Sequence, residues 1–223
     1  MSSGLKKVAV VIASDRVSDV GSFPSVGRLD IEVVHVIPRR GLSESYNRAI
    51  VEHPADIYLF VHDDVTFEDP ADSLMKIVEG LDTYDIVACA GASKYASWLP
   101  FWNAAVFADH FRGRLMQGVS GDTFKGCRWG GPGRVVVVDG LLVAARAAVF
   151  GKIRWDETFC WHCYDIDFSV QANLAGLTIG VVEMGTIYHR STGAYSAPAW
   201  LEGTRLYLLK WKDNFRVFEA GVS

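Results

Sequence analysis

The chain has 223 residues, of which 50% are hydrophobic and 22% are charged, so it can bury a sizeable core and is too apolar to be intrinsically disordered. Its net charge is −4 and its lysines and arginines are scattered, which favours small-molecule ligands over nucleic acid. The four cysteines are too few for a disulfide scaffold of this length and favour a reducing, cytoplasmic compartment.

The sequence shows no targeting or membrane-spanning segment. Met1–Lys7 lacks the order of charged, apolar and small residues that a signal peptide has. The longest apolar stretches are short or interrupted by charges, as Val135–Val149 is by Asp139 and Arg146. We therefore expect a soluble, cytoplasmic protein, and association with the inner membrane surface is compatible with this expectation.

Strands and helices alternate in the first half of the chain. Short apolar runs rich in strand formers predict strands, and apolar residues at helical spacing predict helices. In chain order we expect strands at Lys7–Ser14 and Ile31–Ile37, a helix from an N-cap at Ser43 to about His53, a strand at Ile57–Val61, a helix at Asp72–Leu81 and a strand at Asp85–Ala90. The alternation predicts an α/β fold with a mostly parallel central sheet flanked by helices.

Hydrophobic periodicity is lost between Gly91 and Gly133, where glycine and aromatic residues are frequent. A loop of this length usually serves as a lid or binding wall, so we interpret it as a semi-ordered insertion, with a satellite hydrophobic cluster as the alternative. Regular elements then return: strands at Arg134–Val138 and Leu141–Ala145, a helix at Tyr164–Ala175, strands at Thr178–Val182 and Thr186–His189, and a C-terminal helix at about 198–212. The whole chain, 1–223, is predicted to be one domain.

Acidic and imidazole side chains follow strands or begin a helix at three places. Because the carboxyl ends of parallel strands face the ligand crevice of an open α/β sheet, these side chains are expected to converge there. Oxygen ligands with an imidazole suit Mg²⁺ or Mn²⁺, which would neutralise a diphosphate. Taken singly, each place also fits a turn, a helix cap or a hydrogen-bonded histidine. The residues are His62, Asp63 and Asp64; Asp165 and Asp167; and His189.

Cys160 and Cys163 form a C-x-x-C motif. A redox role would need this pair early in a thioredoxin-like βαβ unit, whereas it lies late in the chain. A zinc site would need two further ligands at suitable spacing, which the sequence does not offer. The motif is therefore interpreted as structural.

Five segments, in this order, resemble the inverting glycosyltransferases of family 2, particularly their short bacterial branch. These enzymes have the GT-A fold, which is Rossmann-like and binds nucleotide-diphosphate sugars. Each segment alone is weakly specific, but together they extend over about 150 residues. The segments are Pro38–Asn47, Ile57–Asp64, Val138–Arg146, Trp155–Asp167 and Tyr188–Arg190.

The resemblance implies roles for individual residues. Asp165 takes the place of the catalytic base, Asp64 and His189 those of ligands to Mn²⁺ or Mg²⁺, and Gly140 would let the backbone approach the sugar. Three positions depart from the family pattern: His62 stands for the first Asp of D-x-D, Tyr164 for a Glu, and Gln171 for a frequent Arg. The remaining implied roles are contact with the donor nucleotide by Asp15, Asn47, His62 and Asp63, and acceptor or supporting contacts by Asp139, Asp167 and Trp161.

The implied activity is transfer of a sugar, with inversion, from a nucleotide-diphosphate donor to a hydroxyl of a saccharide or lipid-linked acceptor. Bacterial polysaccharide or glycoconjugate synthesis is the expected setting, and a homo-oligomer is compatible with the sequence. The same acids would also suit a metal-dependent hydrolase or nucleotidyltransferase. A non-catalytic nucleotide- or sugar-binding module is the third interpretation, favoured if His62 and Tyr164 mark a decayed site.

Overall fold

The computed structural model describes residues 5–16, 23–24, 26–119, 123–191 and 197–221. Four α-helices lie in this part of the chain: α1 (Leu42–Glu52), α2 (Pro70–Gly80), α3 (Tyr164–Leu174) and α4 (Pro198–Trp211). The strands are β1 (Lys6–Ala13), β2 (Leu29–Val36), β3 (Ile57–Val61), β4 (Val65–Phe67), β5 (Ile86–Ala88), β6 (Ala90–Ala92), β7 (Lys94–Ala96), β8 (Phe111–Gln117), β9 (Lys125–Arg128), β10 (Gly133–Val135), β11 (Val137–Val138), β12 (Leu142–Arg146), β13 (Ile179–Val181), β14 (Ile187–His189) and β15 (Val217–Glu219).

A seven-stranded sheet in the order β10-β13-β5-β12-β3-β1-β2 forms the centre of the fold. Strands β2, β1, β3, β5 and β13 run in one direction, and β12 and β10 run in the opposite one. All five residues of β3 are buried, as expected for an apolar run covered on both faces. The predicted α/β fold with a mostly parallel central sheet is therefore confirmed.

An aromatic cluster fixes α1 and α3 against β3. Tyr46 of α1 lies 4.7 Å from Phe60 of β3, measured between ring centroids, and Trp155 stacks on Phe168 of α3 at 4.0 Å. Trp155 also contacts Phe60 edge-on at 5.3 Å. Rings of this size each bury about 150–250 Å², so the cluster is a large part of the core. It holds the start of α3 beside the end of β3.

A second sheet, in the order β11-β6-β8-β14-β4 with β9 beside β8, includes part of the Gly/aromatic-rich insertion. The insertion at 91–133, interpreted from the sequence as semi-ordered, includes three regular strands in its described residues: β7, β8 and β9. Most side chains of β8 and β9 are at least partly exposed, and each strand contains a glycine, so no apolar alternation marks them. Residues 120–122 of the insertion lie outside the described residues.

The start of α1 differs from the prediction. Its N-cap is Gly41, with a φ of 135°, and Ser43 lies inside the helix, where its hydroxyl donates to the Phe159 carbonyl at 2.7 Å. A Cβ at Gly41 would lie 2.4 Å from the Cys160 carbonyl oxygen, so only glycine fits this close approach. Ser43 is buried and makes a tertiary hydrogen bond instead of capping the helix. The residues next to it in the sequence do not indicate this contact.

Candidate functional site

Three side chains converge where the central sheet passes into the second sheet. His62 and Asp64 follow β3, and His189 ends β14. Antiparallel pairing of β14 with β4 sets His189 opposite Val65 and so beside Asp64. One potential ligand atom from each of the three side chains lies within 4.8 Å of the others. His189 Nε2 is 3.5 Å from Asp64 Oδ1.

This cluster has the properties of a divalent-metal site. Asp64 Oδ1 is buried and has no hydrogen-bond partner, which is costly for a carboxylate oxygen unless a cation compensates it. Burial raises the pKa of Asp64, and the neighbouring His189 acts in the opposite direction. One carboxylate and two imidazoles are ordinary ligands for a divalent transition-metal ion. The three residues therefore fit the metal that the sequence predicts.

His62 belongs to the cluster, although its sequence position indicated only a donor contact. Its Nε2 lies 2.5 Å from the hydroxyl of Tyr164, the first residue of α3. Burial lowers the pKa of His62 to about 4, and the nearby His189 contributes in the same direction. At neutral pH the imidazole is therefore uncharged, which is the form that binds metal ions.

Asp165 is a partly buried carboxylate in the first turn of α3. Burial raises the pKa of Asp165 to about 7, and the charge of Asp139 adds to this effect. The backbone N–H of Gly140 donates to Asp165 Oδ2 at 3.1 Å and so fixes the carboxylate. A carboxylate with a pKa near neutrality can exchange a proton at physiological pH, as a general base must.

Gly140 makes room for α3. A Cβ at this position would lie 2.3 Å from the Tyr164 hydroxyl oxygen and 2.9 Å from Asp165 Cβ. The close approach that requires glycine is thus that of Tyr164 and Asp165, whereas the resemblance implied an approach to the sugar. Its neighbour Asp139 accepts a hydrogen bond from Trp102 Nε1 at 2.9 Å.

Two cavities meet at the His62, Asp64 and His189 cluster. One, of about 300 Å³, is lined by these three residues and by Asp139, Asp165 and four tryptophans: Trp102, Trp129, Trp161 and Trp200. The other, of about 500 Å³, is lined by residues that follow β1 and β3, namely Ser14, Asp15, Arg16 and Asp63. His62, Asp64, Trp161 and His162 line both.

Three residues that the sequence placed at the site line neither cavity: Gly140, which packs against Tyr164 and Asp165, Asn47 and Asp167. Asn47 donates to the Trp155 carbonyl at 2.8 Å and to Glu157 at 3.1 Å, and so ties α1 to the segment before α3. Asp167 is fully buried under α4. It accepts hydrogen bonds from Trp211 Nε1 at 2.9 Å and Gln171 Nε2 at 2.6 Å, and its Oδ1 lies 2.6 Å from Lys210 Nζ.

Sequence reasoning missed several cavity residues. Trp102, Gln117 and Trp129 come from the insertion, whose aromatic content suggested a binding wall without indicating which side chains would face it. Gln117 reaches the site because β8 pairs with β14, which sets it opposite His189. No local pattern predicts that long-range pairing.

A family model described as a glycosyltransferase-like family matches residues 22–199. The chain belongs to this glycosyltransferase-like family. The match covers most of the chain and includes every segment that carries the resemblance to glycosyltransferase family 2. No curated protein matches the sequence significantly.

Solved structures of GT-A glycosyltransferases share the fold of this family member. A structure of GalNAc-T7 with UDP, GalNAc and Mn²⁺ aligns over 96% of the chain and 49% of its own length, at 11% identity and a TM-score of 0.55. TarS 1–349 of S. aureus with UDP-GlcNAc aligns over 92% of the chain and 66% of its own length, at 15% identity and a TM-score of 0.51. The chain thus spans about half to two thirds of these proteins and has the GT-A fold.

A helix that crosses a bilayer needs about 20 predominantly apolar residues. Within the described residues, no helix is both long enough and apolar enough to do so.

Proposed function

We propose that the protein is a metal-dependent, inverting glycosyltransferase that moves a sugar from a nucleotide-diphosphate donor to an acceptor hydroxyl. The observation that carries the proposal is the His62, Asp64 and His189 cluster at the junction of two cavities, one of which contains Asp165. Membership of the family supports it, and so do the UDP and Mn²⁺ in the GalNAc-T7 structure and the UDP-GlcNAc in the TarS structure. The chain would act as a single GT-A domain.

His62, Asp64 and His189 would hold the divalent metal ion, Mn²⁺ or Mg²⁺. When bound, the ion supplies positive charge that stabilises the leaving diphosphate. Two imidazoles favour Mn²⁺, because Mg²⁺ is bound mainly through oxygen ligands and water. The buried, unpartnered oxygen of Asp64 supports this assignment.

The cavity that follows β1 would receive the nucleoside diphosphate. Arg16 presents an exposed guanidinium there, a group suited to phosphate oxygens. The exposed carboxylate of Asp15 can accept hydrogen bonds from a nucleobase. Asp63 lines the same cavity and is oriented by Ser14, whose hydroxyl donates to it at 2.5 Å.

Asp165 would act as the general base. Its carboxylate takes the proton of the acceptor hydroxyl while that oxygen forms a bond to the anomeric carbon. The bond from this carbon to the donor diphosphate breaks on the opposite face, which inverts the configuration. The N–H of Gly140 holds the carboxylate in place, and a pKa of about 7 suits the proton transfer.

The tryptophan-lined cavity would bind the acceptor. Aromatic faces combined with polar groups suit sugar rings, and Trp161, 48% exposed, is accessible from both cavities. A saccharide or the sugar of a lipid-linked acceptor fits this lining, in the setting of polysaccharide or glycoconjugate synthesis at the cytoplasmic side of a membrane. Within the described residues, Asp139 and Trp161 are the acceptor-side candidates that line this cavity.

Product release distinguishes the three interpretations. Nucleotide-diphosphate sugars would be incubated with Mn²⁺ in the presence and absence of a panel of saccharide acceptors, and free nucleoside diphosphate would be measured. A transferase releases it only when an acceptor is present, a hydrolase releases it without one, and a binding module releases none. A first screen for donors is thermal unfolding with nucleoside diphosphates and Mn²⁺, because a ligand of the folded state raises its apparent stability.

A further inference from the structure

Two residues that depart from the family 2 pattern are in contact with each other. His62 stands where an Asp is usual and Tyr164 where a Glu is usual, and the Tyr164 hydroxyl lies 2.5 Å from His62 Nε2. The two residues are 102 positions apart in sequence, so neither predicts the other locally. The pair replaces two acids by a neutral hydrogen-bonded couple.

The surroundings of Tyr164 hold its hydroxyl at this position. Its ring packs in the aromatic cluster, with centroids 5.7 Å from Trp155 and 6.2 Å from Tyr46. On the other side Gly140 leaves the space that the hydroxyl occupies, since a Cβ there would lie 2.3 Å from the hydroxyl oxygen. A smaller or more mobile side chain would not place an oxygen at His62 in the same way.

We propose that Tyr164 is a positioning residue that binds His62 through Nε2, so that His62 presents Nδ1 to the metal ion. The proposal rests on the metal-dependent function proposed above. No described residue forms a hydrogen bond with Nδ1 of His62, whereas Nε2 is already engaged by Tyr164. A histidine that binds a metal through one nitrogen usually donates its other N–H to an oxygen, which fixes the ring and its tautomer.

Tyr46 provides a matched control within the same cluster. Its hydroxyl is also buried but has no hydrogen-bond partner, and its ring contacts Tyr164 and Phe60. Tyr164→Phe and Tyr46→Phe each remove one buried hydroxyl and keep the ring. Only the first of them removes the contact with His62, so a difference between the two variants reports on that contact and not on aromatic packing.

The first measurement is made without metal. In ¹⁵N-histidine NMR spectra of the intact chain, we expect one tautomer of His62 to dominate in the wild type and in Tyr46→Phe. Tyr164→Phe should give a mixture of tautomers, because the partner that selects between them is gone. Unchanged tautomer populations in Tyr164→Phe would overturn the proposal. Thermal unfolding of all variants confirms that they are folded.

The second measurement is Mn²⁺ affinity by isothermal titration calorimetry. We expect Tyr164→Phe to bind Mn²⁺ about 10- to 100-fold more weakly, the usual effect of losing such a supporting hydrogen bond, and Tyr46→Phe to bind as the wild type does. In a His62→Ala background, Tyr164→Phe should have no further effect. Equal affinity of Tyr164→Phe and wild type would refute the positioning role. A wild-type protein that binds no Mn²⁺ would instead refute the proposed metal dependence, and the tautomer measurement would still decide whether Tyr164 orients His62.

Discussion

The two acidic pairs that the sequence placed at the site, Asp63 with Asp64 and Asp165 with Asp167, differ in how their members are bound by the protein. Ser14 donates to Asp63, while Asp64 keeps a buried oxygen without a hydrogen-bond partner. Asp167 is held by three donor side chains of α3 and α4, while Asp165 accepts a hydrogen bond from the backbone N–H of Gly140 and lines a cavity. In each pair, one acid makes more hydrogen bonds or ion pairs within the protein than the other.

This difference indicates which acids are available for chemistry. A carboxylate whose oxygens are bound by protein donors stabilises the fold but has little capacity left for a ligand. A carboxylate that is buried with incomplete partners carries a cost that a bound cation or an acceptor hydroxyl can remove. Asp64 and Asp165 are therefore the members of the two pairs with capacity left for a ligand, which supports the roles proposed for them, and the following experiments test those roles.

The largest effect is expected from Asp165→Asn. Asparagine keeps the size and can still accept the Gly140 N–H, but it cannot take a proton from the acceptor. Because general-base assistance typically contributes ~10²–10⁴-fold, we expect transfer to fall by about that factor while nucleoside diphosphate binding is retained. Steady-state transfer and calorimetric binding measure the two quantities. Near-normal transfer would contradict the role of Asp165, and Asp167→Asn is the matched control.

The pH dependence of transfer tests the same carboxylate. Since burial raises the pKa of Asp165 to about 7, the base is protonated and inactive at lower pH. We expect kcat/KM, measured at saturating metal, to fall about tenfold per pH unit below that value and to level off above it. The residual transfer rate of Asp165→Asn should not show this fall in rate at low pH. A wild-type profile that is flat from pH 5 to 8 would show that another group accepts the proton.

Asp64→Ala tests whether Asp64, whose buried oxygen has no hydrogen-bond partner, is a metal ligand. Removing one of three ligands should weaken Mn²⁺ binding and abolish the dependence of nucleoside diphosphate binding on the metal, which calorimetric titration with and without Mn²⁺ would show. We expect a loss of at least about 10- to 100-fold in Mn²⁺ affinity, the size that even supporting residues cause. Asp63→Asn is the control, since its main described partner is Ser14. Unchanged metal-dependent affinity in Asp64→Ala would contradict the assignment.

Local patterns in the sequence predicted much of the fold and part of the site. The apolar run of β3 and the helical spacing of α3 placed Asp64 and Asp165 correctly on their elements, because burial is encoded by neighbouring residues. The helical period also indicates that the two acids of α3 have different roles. Residues two apart on a helix point about 200° apart, so Asp165 and Asp167 cannot both face one cavity.

What the sequence did not predict depends on long-range pairing. His62 joins His189 because β14 pairs with β4, and Gln117 faces the site because β8 pairs with β14. The hydrogen bond between His62 and Tyr164 needs the end of β3 and the start of α3 to meet. Such contacts arise from sheet order and packing, and no property of the adjacent residues indicates them.

The smallest effect on transfer is expected from Asp167→Asn, which should change stability instead. This carboxylate is fully buried, accepts hydrogen bonds from Trp211 and Gln171 and contacts Lys210. In asparagine one oxygen is replaced by an NH₂ group, which is itself a donor and cannot accept a hydrogen bond from these residues. We expect the free energy of unfolding to fall by about 1–3 kcal/mol, measured by denaturant titration, with transfer nearly unchanged.

The same substitution at Asp165 should act in the opposite direction at pH 8. The folded pKa of Asp165, about 7, lies above the ordinary value of 3.8, so the folded state holds a proton that the unfolded chain releases between these values. Stability from this group is complete at low pH and is lost as pH rises through about 7. At pH 8 Asp165→Asn removes a partly buried charge and should stabilise the fold. If Asp165→Asn stabilises the protein and Asp167→Asn destabilises it, Asp165 serves a ligand and Asp167 serves the fold. If both substitutions destabilise the protein equally, both acids are structural.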